Sequence, residues 1–160
     1  MAHRITRSAA AIALATAWLP GAALAEGIAG SWKFQTDRLP SNGCTISGDI
    51  VFHETKTAGR FACEFVSRED CTTPEGVETF QKVKQSCSAE LDGETVTITS
   101  KVEQVLDAGP AEERNRLMRT DSYLPDDFSV HANDEGGFEG FFHSIQKAGV
   151  RFWRAPDLVS

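Results

Sequence analysis

Cysteines are the residues of this chain whose type is best suited to specialised chemistry, and there are four: Cys44, Cys63, Cys71 and Cys87. Cysteine can bind zinc, take part in redox exchange or form structural disulfide bonds. Zinc sites typically use cysteines about two to four residues apart or add nearby histidines, and a redox dithiol has the sequence C-x-x-C. The stretch GCTISGDIVFHETKTAGRFACEFVSREDC has neither pattern. The spacing therefore predicts structural disulfides and no metal site.

The histidines and the paired aspartates do not assemble into a catalytic group. Strand alternation places His53, His131 and His143 on the face opposite the apolar one. Asp126 and Asp127 follow a proline at the start of a predicted strand, where a turn or capping role is expected. No phosphate-binding loop, nucleophile elbow or metal motif occurs in the sequence. We therefore expect no catalytic residue, no metal, no cofactor and no enzymatic activity.

Two hairpins position the cysteines and predict how they pair. The KTAG turn places Cys44 opposite Cys71, and the TPEG turn places Cys63 opposite Cys87. Cys63 and Cys71 lie on one extended strand about 26 Å apart, whereas a disulfide requires Cα atoms about 4.4–6.8 Å apart. Cys44 and Cys63 lie on neighbouring strands but far out of register. The predicted disulfides are therefore Cys44–Cys71 and Cys63–Cys87.

Period-two alternation of apolar residues extends this pattern along the chain and predicts eight strands. They span about residues 31–37, 44–54, 60–70, 78–91, 94–106, 126–134, 138–145 and 150–155. Residues 107–125 form the one long connection and include a short helix near 111–119. A meander of eight strands with one apolar face closes on itself because closure removes exposed edges. The predicted fold is all-β, an up-and-down eight-stranded antiparallel barrel.

Three turns set the expected register of the later strands. An Asp92-Gly93 turn pairs Ala89 with Val96. A turn at Glu135-Gly136-Gly137 pairs Val130 with Phe142, and Ala148-Gly149 turns the chain into the last strand.

The start of the chain has the layout of a secretory signal peptide. Arg4 and Arg7 precede an apolar run at residues 8–19, and Ala23-Leu24-Ala25 fits a cleavage site. The apolar run is short for a membrane span, which takes about 20 residues. We therefore expect residues 1–25 to be removed, and 26–160 to form one exported domain, periplasmic or secreted, with no membrane span after cleavage.

The mature chain is strongly acidic. The sequence has 16 Lys plus Arg and 23 Asp plus Glu, and loss of Arg4 and Arg7 leaves a net charge of 14 − 23 = −9. A surface of this charge disfavours binding to nucleic acid or to anionic lipid.

The predicted inner face could line a cavity or fill the barrel, and both outcomes occur in barrels of this size. Small inward residues such as Gly48, Ser67, Ser100 and Gly140 would leave space, and Gln85 is a candidate polar anchor. The candidate residues for an apolar ligand cavity are Phe34, Ile50, Phe52, Phe61, Phe65, Ile98, Phe128 and Phe142.

Two residues at the ends of the strand series carry a resemblance to a known superfamily. Gly30-Ser31-Trp32 opens the first strand, and Arg154 ends the last one. This arrangement resembles the lipocalin-like (calycin) superfamily, in which a G-x-W tryptophan packs beneath an arginine of the last strand. The resemblance implies a lipocalin-like barrel with Trp32 and Arg154 closing its base. A guanidinium over an indole face is a favourable contact in a partly desolvated site.

Two further resemblances concern small exported proteins. GCTISG, the spaced cysteines, YLPDDF (123–128) and the terminal F-x-R resemble a family of small exported bacterial proteins without assigned activity. The G-x-W in a small barrel is also similar to that of periplasmic inhibitors of secreted metalloproteases, but only residues 26–29 precede the motif here, which is short for a segment that enters a protease cleft.

The function predicted from the sequence is that of an exported, non-catalytic binding module. It would bury a small apolar ligand in the barrel, with residues 107–125 as a lid. One alternative is a protein–protein module, such as a periplasmic inhibitor of a secreted hydrolase, whose partner is an exported protein. Another is an envelope protein with a solid core and no ligand.

Overall fold

A computed structural model describes residues 27–155, so the predicted signal peptide and its cleavage site lie outside the described residues. Eight strands form one closed barrel in which each strand pairs with its neighbours in sequence and β1 pairs with β8. All of these pairings are antiparallel. The predicted up-and-down eight-stranded barrel is confirmed.

The strands become longer towards the middle of the chain. The elements are β1 Gly30–Thr36, β2 Thr45–Glu54, β3 Arg60–Thr72, β4 Glu78–Asp92, β5 Thr95–Gly109, α1 Ala111–Leu117, a 3-10 helix Thr120–Ser122, β6 Asp127–Ala132, β7 Phe138–His143 and β8 Lys147–Arg154. The short helix falls inside the predicted long connection between β5 and β6. None of the helices described within residues 27–155 has the length and apolar character that a membrane crossing requires.

Because the strands alternate in direction, the connections gather at two ends. The closed end carries the turns after β2, β4 and β6 together with both termini of the described chain. The open end carries residues 37–44, 73–77, 110–126 and 144–146.

The register of the first hairpins agrees with the sequence prediction. Ile50 pairs with Phe65, and Cys63 pairs with Cys87. Both predicted disulfides are present: Cys44–Cys71 with Cα atoms 4.2 Å apart and Cys63–Cys87 with Cα atoms 4.8 Å apart. These bonds join three consecutive strands into one crosslinked wall.

The predicted register of the β4–β5 hairpin is wrong by two residues. Ala89 pairs with Ile98 rather than with Val96, because Asp92 remains in the ladder and the loop is formed by the residues after it. Gly93 supplies the positive φ that this loop requires, with φ 61°. A shift of two leaves every side chain on its predicted face.

The predicted register of the β6–β7 hairpin is also wrong by two residues. Phe142 pairs with Phe128 rather than with Val130, because Asn133 begins the turn and its side-chain Oδ1 accepts the backbone N–H of Gly137 at 2.8 Å. The predicted Ala148-Gly149 turn lies within β8. The chain turns instead at residues 144–146, where the N–H of Ser144 donates to the carbonyl of Gln146 at 3.1 Å.

Candidate functional site

The closed end is sealed around Trp32. Its indole Nε1 donates to the carbonyl of Ile28 at 2.8 Å, and the guanidinium carbon of Arg154 lies 4.2 Å from the centre of the indole ring. Arg154 also donates to the carbonyl of Ala29 at 2.6 Å and to that of Gly27. One arginine therefore satisfies backbone carbonyls of the segment before β1 while covering the tryptophan.

The middle of the barrel is occupied by aromatic rings in mutual contact. The ring centroid of Phe34 lies 5.7 Å from that of Phe65, 5.1 Å from Phe128 and 5.4 Å from Phe152. Phe128 in turn lies 5.8 Å from Phe142. Centroid separations of about 4.5–7 Å are those of rings in direct contact. A ligand at this level would have to displace a ring.

The remaining candidates for a ligand cavity belong to the same packed core. Ile50, Phe52, Phe61 and Ile98 are all buried in it. Gly48 was expected to leave space, but neighbouring groups fill the space beside it. A methyl group added to Gly48 would lie 2.7 Å from the Phe34 ring and would also meet the backbone of β3.

A group of polar side chains lies inside the barrel above these rings, and we call it the Asp126 cluster: Asp126, Tyr123, Gln85, Ser67 and Ser100. Asp126 is 1% exposed and Gln85 is fully buried. The amide of Gln85 donates to the carboxylate of Asp126 at 2.6 Å and to Ser67 Oγ at 3.1 Å. The Tyr123 hydroxyl donates to the two carboxylate oxygens at 3.0 and 3.2 Å. Gln85 Oε1 accepts from Ser100 Oγ at 3.0 Å and from the Asp126 N–H at 3.1 Å.

This cluster fills the place where β5 and β6 separate. The two strands pair only along Thr95–Ile98 of β5. Beyond that point, the carboxylate of Asp127 accepts the N–H of Ser100 at 2.7 Å, which continues the connection through a side chain. Asp127 therefore bonds across to β5 rather than in the local turn or cap that was expected, whereas Asp126 points into the barrel and has a different environment.

Burial changes the titration of the acidic groups here. It raises the pKa of Asp126 from 3.8 to about 7, and the nearby Glu69 adds to the rise, while hydrogen bonds from Ser67, Gln85 and Tyr123 oppose it. Burial also raises the pKa of Glu69, assisted by repulsion from Asp70. The pKa of Tyr123 lies well above its ordinary value because it is buried beside Asp126.

A cleft of about 150 Å³ leads from solvent to this cluster at the open end of the barrel. Its lining comes from three connections and the ends of β2, β3 and β7. The lining residues are Leu39, Asn42, Ile46, Glu69, Ser122, Tyr123, Leu124, Asp126, Phe142, Ser144, Ile145 and Gln146. The open-end cleft combines a buried apolar side, formed by Leu39, Ile46 and Phe142, with carboxyl and amide groups.

The connection that was predicted as a lid is held against the barrel. The side-chain amide of Gln81 donates to the carbonyl of Leu117 at 2.7 Å and to Ser122 Oγ at 3.1 Å. Tyr123 packs with Val83 and Val105 in a second small core. The connection thus forms one wall of the open-end cleft.

The three histidines lie outside this site. His53 and His131 are exposed on the outer surface, and His143 is partly exposed at the end of β7. His131 Nε2 lies 3.8 Å from a carboxylate oxygen of Glu139, its partner on β7. None of the three belongs to the Asp126 cluster or to the described lining of the open-end cleft, and the Asp126 cluster was not predicted. The signal available in the sequence was the set of inward polar residues Gln85, Ser67 and Ser100 on adjacent strands.

Comparisons with known proteins do not assign this chain to a family. No family model matches the chain, and no curated protein matches it. The chain is similar to a solved structure whose description is the de novo design of a fluorescence-activating beta barrel, with 13% identity and a TM-score of 0.48 over 82% of this chain and 96% of that one. The resemblances to lipocalin-like and small exported bacterial proteins stay predictions.

Proposed function

We propose that this protein is an exported, non-catalytic binding module that takes a small ligand in the open-end cleft. Export is supported by the signal-peptide pattern of residues 1–25 and by the two disulfides, which persist in oxidising compartments. The apolar part of the ligand would lie in the cleft rather than among the rings in the middle of the barrel.

The exposure of two aliphatic side chains at the cleft carries this proposal. Ile145 is 85% exposed and Leu124 is 48% exposed, and both belong to the cleft lining. They come from different connections, the turn between β7 and β8 and the segment before β6. Large apolar side chains grouped at a concave site are typical of ligand-binding surfaces.

The proposed absence of catalysis is supported by the way the buried carboxyl is engaged. Every hydrogen bond described for Asp126 goes to a neighbouring protein group, either Tyr123 or Gln85. A general base must reach a proton of the substrate, and Asp126 would have to leave these partners to do so.

An NMR titration with n-hexanol tests this function. We expect the amide signals of residues 39, 124 and 145 to shift and saturate on addition of the alcohol. The Ile145→Ser variant should weaken binding several-fold because it removes an exposed aliphatic contact. Val77→Ser is the matched control, since Val77 is 47% exposed at the same end but does not line the cleft.

Native mass spectrometry of the protein purified from the export compartment provides a second measurement. A bound mass that disappears on denaturation and is reduced in Ile145→Ser supports the proposal. Shifts that spread over the outer surface, or equal losses in Ile145→Ser and Val77→Ser, contradict it.

A protein partner on the outer wall is the second candidate function. Leu106 and Trp153 are exposed and line one shallow depression on the outer surface, together with Lys33, Arg68 and Lys82. Exposed aromatic residues with nearby cations are typical of protein interfaces. Loss of a co-purifying exported protein in Trp153→Ser, with hexanol binding unchanged, would favour this alternative.

A further inference from the structure

The ionisable side chains that line the open-end cleft are acidic. Its lining includes the carboxyl groups of Glu69 and Asp126, and the described residues that form it include no lysine, arginine or histidine. The polar remainder of the lining consists of hydroxyl and amide side chains, including those of Asn42, Ser144 and Gln146. The cleft therefore presents acidic charge together with hydroxyl and amide groups whose oxygens accept hydrogen bonds.

Glu69 is the carboxylate of this pair that has no partner among the described residues. Asp126 accepts hydrogen bonds from Tyr123 and Gln85, whereas none of the ion pairs or side-chain hydrogen bonds described in residues 27–155 includes Glu69. Its side chain is partly buried, and burial raises its pKa. A partly buried carboxylate without a cation is unfavourable, and a bound cation would relieve this cost.

We infer that the open-end cleft binds an amphipathic organic cation, an aliphatic primary ammonium whose charge lies at Glu69 and whose chain lies against Leu124 and Ile145. This inference rests on the proposed function and names the chemical class of its ligand. An ammonium group offers three donors, which match the carboxylate and the amide and hydroxyl oxygens of the lining. The aliphatic chain covers the exposed apolar side chains.

A metal ion fits this site less well. A carboxylate oxygen of Glu69 and the sulfurs of Cys44 and Cys71 lie within 4.8 Å of one another. These two sulfurs are joined in a disulfide, so neither is the thiolate that a soft metal would bind. Calcium prefers about six to eight oxygen ligands, and Glu69 and Asp126 supply the only carboxyl groups among the described residues of the lining.

A titration at pH 8 and low ionic strength, with n-hexylammonium, n-hexanol and hexanoate as probes, tests the inference by NMR. The three probes share one chain length and differ in charge, so their dissociation constants isolate the role of the charge. We expect hexylammonium to bind at least about tenfold more tightly than hexanol, and hexanoate to bind more weakly than hexanol. Added sodium chloride should reduce the advantage of the ammonium and leave hexanol binding unchanged.

The Glu69→Gln variant should abolish the tenfold preference for hexylammonium over hexanol without changing the affinity for hexanol. Glu75→Gln is the matched control, since it makes the same charge change at the open end and Glu75 does not line the cleft. If Glu69→Gln does not fold, the effect of sodium chloride on hexylammonium binding to the unsubstituted protein tests whether charge produces the preference.

Three outcomes overturn the inference: hexylammonium binds no more tightly than hexanol, the preference persists in Glu69→Gln, or calcium displaces hexylammonium and produces the same shifts. The first outcome, with hexanol still in the cleft, leaves the proposed function standing. Absence of binding by both hexanol and hexylammonium overturns the proposed function as well.

Discussion

The barrel should become less stable as the pH rises towards neutrality, because Asp126 holds its proton more tightly in the folded chain. Its pKa is about 7 in the folded protein, against 3.8 for an ordinary aspartate. Between these values the folded chain retains a proton that the unfolded chain has released, so the free energy of unfolding falls with rising pH. One pKa unit corresponds to about 1.4 kcal/mol, so the loss from pH 5 to pH 7 is about 2 kcal/mol, because the folded carboxyl is itself half ionised at pH 7.

The test is urea denaturation of the unsubstituted protein and of Asp126→Asn at pH 5, 6, 7 and 8, followed by tryptophan fluorescence. An asparagine is neutral at every pH and occupies nearly the same volume. The difference in unfolding free energy between the two proteins should therefore move by about 3 kcal/mol in favour of the variant between pH 5 and pH 8. Glu69 contributes in the same direction to both proteins, because its pKa is also raised, and it largely cancels in the difference.

Asp134→Asn provides the control, since Asp134 is exposed in the turn between β6 and β7. It should follow the unsubstituted protein at each pH. A difference between Asp126→Asn and the unsubstituted protein that stays constant from pH 5 to pH 8 would refute the argument. Asp126 would then have the same protonation state in the folded and unfolded chains, and its burial would not shift its pKa.

Three further predictions concern stability. Removal of either disulfide by paired Cys→Ala substitutions should lower the free energy of unfolding by about 3.5 kcal/mol. The two losses should be nearly equal because the bonds close segments of similar length, 27 and 24 residues. Urea denaturation of both variants checks this, and clearly unequal losses would contradict it. Arg154→Lys should cost about 1–2 kcal/mol because a lysine cannot bind two carbonyls while covering Trp32; Arg151→Lys, exposed on the same strand, should leave the melting temperature unchanged. Gly48→Ala should cost about 1–3 kcal/mol because the added methyl would meet both the backbone carbonyl of Val66 and the Phe34 ring, and a neutral result in thermal denaturation would contradict this packing argument.

The fold was predictable because an even error in the register of a hairpin leaves each side chain on its predicted face of the sheet. The β4–β5 loop lies one residue later than predicted, which shifts the pairing of Ala89 from Val96 to Ile98. Both candidates face inwards, so the error does not change the predicted core. The cysteine pairs were predictable for a stronger reason, since their hairpins are short and a disulfide tolerates only a narrow range of Cα separations.

The site was less predictable because it depends on contacts between distant strands. Asp126 and Asp127 are neighbours of the same type, and only the separation of β5 from β6 decides which one enters the barrel. Ile145 was assigned to a strand, because Ala148-Gly149 was a more conventional turn sequence than the turn that the chain makes at residues 144–146. The cleft therefore follows from loop geometry that alternation does not encode.

The short pairing between β5 and β6 also determines where the barrel wall can open. Only Thr95–Ile98 of β5 holds β6, whereas β4 and β5 are paired over most of their length, and both disulfides lie in the wall formed by β2, β3 and β4. Local opening at this seam breaks few backbone hydrogen bonds, so the amides of Thr97 and Ser129 should exchange with solvent faster than those of β3. Such an opening would bring water to Phe128 and Asp126 while the crosslinked strands stay folded. The aromatic middle of the barrel would then be reached through its side, by a route separate from the open-end cleft that leads to the Asp126 cluster.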